Sequence, residues 1–213
     1  MKSKHVLDEL FISYACLEVC RDAIFQAFGI LRDVYAQNGK VLLCGNGGSA
    51  ADCEHIVGEL MKGFKLKRPL PHDSHDKLSS FGGGEIADYL QGALPAISLV
   101  SHNALISAFT NDVGADYVFA QQVYGYGKKG DALIALSTSG NATNVVNACR
   151  VAKALEMKVI GLSGKTGGLL KNLCDTCICI PSADTASIQE RHLPVYHALC
   201  AALEVEFWGS LVW

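Results

Sequence analysis

Two glycine- and serine-rich elbows, each between an apolar segment and a helical one, constrain this chain more than any other feature. The first spans residues 44–49 (CGNGGS) and the second spans residues 137–141 (STSGN). Elbows of this kind bind a phosphate through backbone amides and hydroxyls at a helix N-terminus, where the helix dipole favours negative charge. Two such elbows in one short chain predict a phosphorylated small molecule as the ligand.

Strand-like and helix-like segments alternate along most of the chain. Apolar residues at helical spacing over about 5–37 predict one long amphipathic N-terminal helix, or two joined helices. Such alternation is typical of an α/β fold whose parallel sheet is covered on both faces and binds ligands beyond the carboxyl ends of its strands. The predicted strands are 41–44, 96–100, 132–136, 159–162 and 177–180, and the predicted helices that follow them are 49–64, 116–126, 143–155, 168–172 and 185–208.

Composition limits the classes of function. The chain has 213 residues, of which 50% are hydrophobic, and a formal net charge of −3. These values predict a single globular domain over 1–213 and no nucleic-acid partner. No apolar run is long enough to span a membrane, and Asp8 and Glu9 disfavour a signal peptide, so we expect a cytoplasmic protein without a membrane partner. Residues 65–94 break the alternation and are predicted to form an inserted loop, as a lid or an interface arm.

Three other patterns suggest a function that the rest of the sequence does not favour. The spacing of Gly45, Gly47 and Ala50 matches the loose dinucleotide fingerprint, but the second strand ends without the acidic residue that would hold a ribose. The nine cysteines are odd in number and lie in apolar segments, which predicts reduced core residues. A metal or redox role remains an alternative for Cys174, Cys177 and Cys179. Metal binding also remains an alternative for four residues of the predicted loop, His72, Asp73, His75 and Asp76.

Two helices carry further candidate ligands. His55 and Glu59 are four residues apart on the helix that follows the first elbow, so they share a face and can present a nitrogen and a carboxylate to one metal ion. An exposed pair without function would have the same pattern. On the last helix, Gln189 and His197 are about 80° apart around an ideal helix and could reach one site. Pro194, which lies between them, is expected to kink that helix.

Taken in order, these motifs resemble the signature of the phosphoheptose isomerase (sedoheptulose 7-phosphate isomerase) family, which has the sugar isomerase, or SIS, fold. The match begins with residues 41–52 (VLLCGNGGSAAD), followed by His55 and Glu59. It covers nearly the whole chain except about 65–94. A single GNGGS run would be weak evidence, whereas five motifs in the same order are strong. The later motifs are 108–112 (AFTND), 136–141 (LSTSGN), 188–192 (IQERH) and His197.

The resemblance implies a three-layer αβα sandwich around a central five-stranded parallel sheet of flavodoxin-type topology. It also implies a homotetramer with active sites at subunit interfaces and one zinc ion per subunit. Glu59 and His197 match the family's catalytic acid/base positions, and the implied zinc ligands are His55, Glu59, Gln189 and His197. The implied substrate contacts are Ser137, Thr138 and Ser139 for the phosphate, with Asn46, Gly47, Gly48, Ser49, Glu59, Asn111, Asp112 and Gln189 for the rest of the molecule.

The implied activity converts D-sedoheptulose 7-phosphate to D-glycero-D-manno-heptose 7-phosphate. A carboxylate can move a proton between C1 and C2 through an enediol, a histidine can shuttle the oxygen proton, and zinc would polarise the carbonyl. Ala142 stands where the family usually has serine, and Ala186 and Ser187 replace a polar or basic pair, so the preferred sugar stays open. The alternatives are an isomerase of another ketose phosphate and a silent binding protein similar to the replication-initiator-associating protein, which acts through protein partners.

Overall fold

Five strands form one all-parallel sheet in the computed structural model, which describes residues 2–209. The strand order is β2-β1-β3-β4-β5, which is the flavodoxin-type order. All four neighbouring pairs are parallel. The predicted α/β class and sheet are therefore confirmed. The strands are β1 (Val41–Cys44), β2 (Ala96–Ser98), β3 (Ala132–Ser137), β4 (Lys158–Ser163) and β5 (Thr176–Cys179).

Helices cover both faces of this sheet. None of those within residues 2–209 combines the length and apolarity that crossing a membrane requires. Two 3₁₀ turns, Ala15–Cys20 and Ala115–Tyr117, connect helices. The α-helices are α1 (Lys2–Ser13), α2 (Arg21–Ala36), α3 (Gly48–Met61), α4 (His72–Ser80), α5 (Gly84–Ala87), α6 (Asn103–Asp112), α7 (Val118–Tyr126), α8 (Thr143–Ala154), α9 (Leu170–Leu173) and α10 (Thr185–Trp208).

Alternating side chains of the strands divide the apolar core into two layers. Val41 and Leu43 of β1 face a cluster that includes residues of α1, α2, α3 and α10. Leu42 and Cys44 face a second cluster that includes residues of α7 and α8. Successive residues of a strand point to opposite faces, so a strand buried on both faces is a continuous apolar run. The three-layer αβα sandwich is confirmed.

The prediction of a single long N-terminal helix is wrong, and the structure adopts the alternative of two joined helices. Helix α1 ends before Tyr14, whose φ of −133° and ψ of 69° leave the helical region. Arg21, at the start of α2, donates to Asp8 of α1 and to Glu18 of the intervening turn, both at 2.6 Å, and so fixes the bend. The longest helix is instead the C-terminal α10, which has 24 residues and continues through Pro194.

Two parts of the chain are more helical than their sequence indicates. Residues 65–94, predicted as an inserted loop, contain the short helices α4 and α5. Helix α6 was not predicted; none of its residues is fully buried, although Ile106 and Phe109 pack against the second core cluster. Asn111 and Asp112 therefore lie at the end of a helix.

A buried ion pair joins α10 to the end of α3. Arg68 and Glu204 both have 0% exposed side chains, and Arg68 Nε donates to Glu204 Oε1 at 2.8 Å. The Glu204 carboxylate also accepts the three backbone amides of residues 64–66. The remaining Arg68 nitrogens donate to the carbonyls of Leu60 and Glu59, at 2.6 and 2.9 Å. These carbonyls lie in the last turn of α3, where a helix lacks its own donors.

Replacing Arg68 with methionine tests this anchor. The substitution leaves the Glu204 carboxylate buried with only neutral amide donors, so we expect the free energy of unfolding to fall by about 3–5 kcal/mol. Urea denaturation followed by circular dichroism measures the loss. Lys129→Met is the control, because it breaks an exposed pair with Glu156 and should leave the unfolding midpoint near that of the wild type. If the unfolding midpoints of both variants fell by the same small amount, the structural role of Arg68 would be contradicted.

Candidate active site

The first elbow connects β1 to α3 and is shaped by two glycines. Gly47 has a φ of +55°, a conformation that favours glycine. A Cβ added to Gly48 would lie 2.5 Å from Gln189 Nε2, so the Gln189 amide lies directly against this turn. The Asn46 side chain exchanges two hydrogen bonds with Asn144 of α8, at 2.9 and 3.0 Å. The first elbow is therefore tied to α10 on one side and to the helix after the second elbow on the other.

The second elbow connects β3 to α8. Gly140 has a φ of +68° and lies so close to the backbone of Gly167 that no side chain would fit. Ser139 Oγ accepts the Asn141 amide at 3.1 Å, and Asn141 Oδ1 accepts the amide of Leu169 at 3.0 Å. The N-cap residue of α8, Ala142, has no side-chain oxygen with which to cap the helix. The turn is thus held in place, and although Asn144 Oδ1 accepts the Val145 amide at 3.0 Å, no side chain of the N-cap residue covers the helix N-terminus, which favours an anion.

The two elbows lie side by side because β1 and β3 are neighbours in the sheet. In the order β2-β1-β3-β4-β5, the chain first moves from β1 to β2 on one side of β1 and then returns past β1 to form β3 on its other side. This is the topological switch point, where open α/β sheets leave a crevice beyond the strand ends. The sheet therefore brings the hydroxyls of Ser137, Thr138 and Ser139 near the backbone amides of the first elbow.

Three candidate ligands converge next to the first elbow. His55 and Glu59 of α3 and His197 of α10 each offer one donor atom, and all three donors lie within 4.8 Å of one another. His55 Nε2 is 3.2 Å from Glu59 Oε1 and 3.3 Å from His197 Nε2. Ligands on a tetrahedral ion with bonds of about 2.0–2.1 Å lie about 3.3 Å apart. The two distances from His55 match this spacing, so two nitrogens and one oxygen that converge here could hold a divalent metal ion and leave one position open.

The surroundings of these side chains differ in solvent exposure. The Glu59 side chain is only 13% exposed, and its second oxygen is 3.4 Å from Lys62 Nζ. Burial, with a smaller contribution from His55, lowers the pKa of His197 below its ordinary value. A cavity of about 280 Å³ adjoins His197 and is lined in part by Lys65, by Glu190 and by α1. Space for a small molecule therefore exists on the α1 side of the cluster.

Other candidate residues lie apart from this cluster. Gln189 contacts the first elbow and forms no hydrogen bond with the three converging residues. Ser49 is buried in the first turn of α3. Asn111 donates to Asp112 at 2.9 Å, and within residues 2–209 neither side chain bonds to an elbow. His192 is fully buried with Nε2 3.4 Å from the Ser163 carbonyl, and burial lowers its pKa to about 4, which marks a core histidine.

Sequence reasoning did not single out Asp52 and Tyr196 as parts of the site. The Tyr196 hydroxyl lies 3.1 Å from Asp52 Oδ1 and 3.0 Å from His55 Nδ1. Burial first, and then the charge of Asp52, raise the pKa of Tyr196, so the phenol stays protonated. Asp52 is three residues before His55, which places both on one face of α3 and was a usable signal. For Tyr196 the only signal in the sequence is that it directly precedes His197.

The fold and the two elbows define the class of protein. The family model of the SIS domain matches residues 14–77 and 79–164, which together include both elbows and the first four strands. These are the elements that form the switch-point crevice. The chain is therefore built on a sugar isomerase domain.

More specific relatives define the family within that class. A phosphoheptose isomerase of Rhodospirillum rubrum is 39% identical over 185 residues, which cover 87% of this chain and 86% of the relative. The phosphoheptose isomerase structure from Francisella tularensis has a TM-score of 0.73 and 32% identity, covering 95% of this chain and 98% of that one. The structure from Neisseria gonorrhoeae has a TM-score of 0.71 and 29% identity, covering 95% and 91%. This chain belongs to the phosphoheptose isomerase family, as its motifs predicted.

Proposed function

We propose that this chain is a phosphosugar isomerase that converts D-sedoheptulose 7-phosphate to D-glycero-D-manno-heptose 7-phosphate. The observation that carries the proposal is the convergence of Glu59 and His197 on His55, at 3.2 and 3.3 Å, from two helices far apart in the chain. A protein that only binds a sugar phosphate has no need of a carboxylate and an imidazole so arranged. The relatives named phosphoheptose isomerase support the choice of substrate, because they match this chain over most of its length.

The elbows bind the two ends of the substrate in this proposal. Ser137, Thr138 and Ser139 hold the phosphate with the open N-terminus of α8. Phosphate held away from the reacting carbons orients C1 and C2 toward the catalytic groups, and so contributes to the rate without taking part in bond changes. The groups that bind the sugar are Asn46, Gly47, Gly48, Ser49, Glu59, Asn111, Asp112 and Gln189.

Isomerisation requires one proton to move between C1 and C2 and another to move between their oxygens. The Glu59 carboxylate removes the proton from one carbon and returns it to the other, which produces and then consumes an enediol. His197 transfers the oxygen proton, because its lowered pKa keeps the imidazole neutral at pH 7 and able to accept a proton. The low exposure of Glu59 limits exchange of the transferred proton with water.

A zinc ion completes the proposed site. The donors fit it, since two imidazole nitrogens and a carboxylate oxygen that converge within 4.8 Å are ligands that zinc prefers. His55, Glu59 and His197 would hold the ion, and Gln189, whose amide lies against the first elbow in this structure, would be the fourth ligand that the family resemblance implies. When bound, zinc would polarise the substrate carbonyl.

Substitution of Glu59 tests the catalytic assignment. Glu59→Gln is nearly isosteric and removes the base, so we expect kcat for sedoheptulose 7-phosphate to fall by at least about 100-fold. Formation of the aldose is followed by NMR. Glu54→Gln is the matched control on the same helix, because Glu54 bonds to Ser101 outside the cluster and should be dispensable. Undiminished turnover by the Glu59 variant would rule out its role as the base.

A panel of substrates separates the proposed function from its alternatives. The wild-type protein should convert sedoheptulose 7-phosphate and leave unphosphorylated sedoheptulose unchanged, because the elbows then lack an anion. Preferential turnover of another ketose phosphate would keep the isomerase and change its substrate. A folded protein that converts no ketose phosphate, with or without added zinc, would favour the binding-protein alternative.

Metal removal tests the zinc site. We expect purified protein to contain one zinc ion per chain by elemental analysis, and we expect chelation to abolish isomerisation until zinc is restored. His55→Ala should lower the zinc content. His75→Ala is the control, since His75 pairs with Asp88 in the 65–94 segment and is not part of the cluster. Metal-free protein that keeps full activity would refute the proposal.

The proposed assembly is a cytoplasmic homotetramer of single SIS domains, each spanning 1–213 and carrying 65–94 as an insertion, with active sites at subunit interfaces. Support comes from an exposed apolar surface on and beside α6 and α7, which includes Leu105, Val113, Tyr117 and Tyr124. Apolar patches of this kind mark protein interfaces. Light scattering at micromolar concentration should give the mass of four chains, and a monomer would contradict the proposal.

A further inference from the structure

Tyr196 connects the candidate metal cluster to a carboxylate that lies outside it. Its side chain is 2% exposed, and its hydroxyl lies between Asp52 Oδ1 at 3.1 Å and His55 Nδ1 at 3.0 Å. Within residues 2–209, this hydroxyl is the only hydrogen-bond donor to the Asp52 side chain, whose other oxygen is buried without a partner. The phenol is therefore held between a carboxylate and an imidazole.

Counting protons assigns the direction of both hydrogen bonds. An ionised carboxylate can only accept, so the single proton of the Tyr196 hydroxyl goes to Asp52. The phenol oxygen then has only lone pairs to offer to His55, and a short contact at Nδ1 requires that Nδ1 carry the proton. In a neutral imidazole the other nitrogen, Nε2, is left with its lone pair. That nitrogen is the atom that faces Glu59 and His197.

We infer that Asp52 and Tyr196 are positioning residues that hold His55 in the Nδ1–H tautomer, so that Nε2 presents a lone pair to a metal ion. The inference rests on the zinc site of the proposed function. Metal-binding histidines usually donate their second ring proton to a neighbouring acceptor, which fixes ring orientation and raises ligand basicity. Here the acceptor is a phenol, which itself is oriented by a carboxylate.

Without the phenol, the opposite tautomer would be favoured. A proton on His55 Nε2 could then be donated to Glu59 Oε1, which is 3.2 Å away, and the ring would no longer offer its lone pair to the cluster. Removal of the Tyr196 hydroxyl should therefore change both the position of the ring proton and the affinity for metal. A residue that only supported the fold would change neither when the fold is intact.

The first test measures the tautomer in metal-free wild-type protein. Nitrogen-15 NMR of histidine-labelled protein, with the His55 signals assigned by their loss in His55→Asn, should report a protonated Nδ1 and an unprotonated Nε2. Tyr196→Phe should shift the population toward protonated Nε2. A wild-type His55 with its proton on Nε2 would overturn the inference, and this measurement does not depend on how well any Tyr196 variant folds.

The second test measures zinc affinity by competition with a chromophoric chelator. Tyr196→Phe should weaken zinc binding about 10- to 100-fold, the usual effect of losing an outer-shell partner of a ligand. Tyr35→Phe is the matched control, because Tyr35 is also buried and its hydroxyl has no hydrogen-bond partner among residues 2–209, so zinc affinity and the His55 tautomer should be unchanged. Equal zinc affinity in wild type and a folded Tyr196→Phe would overturn the inference.

These outcomes are separate from failure of the proposed function. A protein that binds zinc in the predicted way, with the predicted tautomer, yet converts no sugar phosphate would contradict the isomerase proposal and leave the positioning role intact. An active isomerase whose zinc affinity is independent of Tyr196 would support the proposed function and contradict the positioning role of Tyr196.

Discussion

The buried pair of Arg68 and Glu204 sets the relative position of the two helices that form the site. Glu204 is seven residues after His197 on α10, which is about two turns. Arg68 binds the carbonyls of Glu59 and Leu60 at the end of α3. Because these hydrogen bonds are directional and surround a buried ion pair, sliding or rotation of either helix would leave a buried charge unpaired. The relative position of Glu59 and His197 is thus set in part by the backbone carbonyl of Glu59 and by Glu204, and not only by their own side chains.

Helix α10 also connects the cluster of His55, Glu59 and His197 to the edge of the sheet where the two elbows lie. Gln189 contacts Gly48 at the first elbow, and His197 lies eight residues later, about 12 Å along the helix axis. The neighbouring positions of β1 and β3 bring the second elbow beside the first, and the paired amides of Asn46 and Asn144 join them. Helix α10 and the strand pair β1 and β3 therefore bring together the two elbows and the His55, Glu59 and His197 cluster. The candidate residues on α6 are held by neither.

The sequence predicted the parts of the structure that depend on local patterns. Strand β1 has the predicted bounds, and the other strands differ by one or two residues, because apolar runs buried on both faces are easily recognised. Helix α6 was not predicted, and it contributes only the half-buried Ile106 and Phe109 to the core. His55 and Glu59 could be paired from their spacing alone, whereas their contact with His197 is tertiary and was anticipated only through the family resemblance. Arg68, Glu204 and Tyr196 had no local signal, because their roles depend on how helices pack.

Pro194 illustrates how tertiary contacts override a local rule at this site. A proline within a helix removes one backbone hydrogen bond and costs about 3 kcal/mol relative to alanine. Helix α10 nevertheless continues through Pro194, which is buried three residues before His197. Contacts hold the helix on both sides of the proline, at Gln189 against the first elbow and at Glu204 against Arg68. Because most helical stability in proteins comes from packing, these two anchors keep Tyr196 and His197 in place where propensity alone would end the helix.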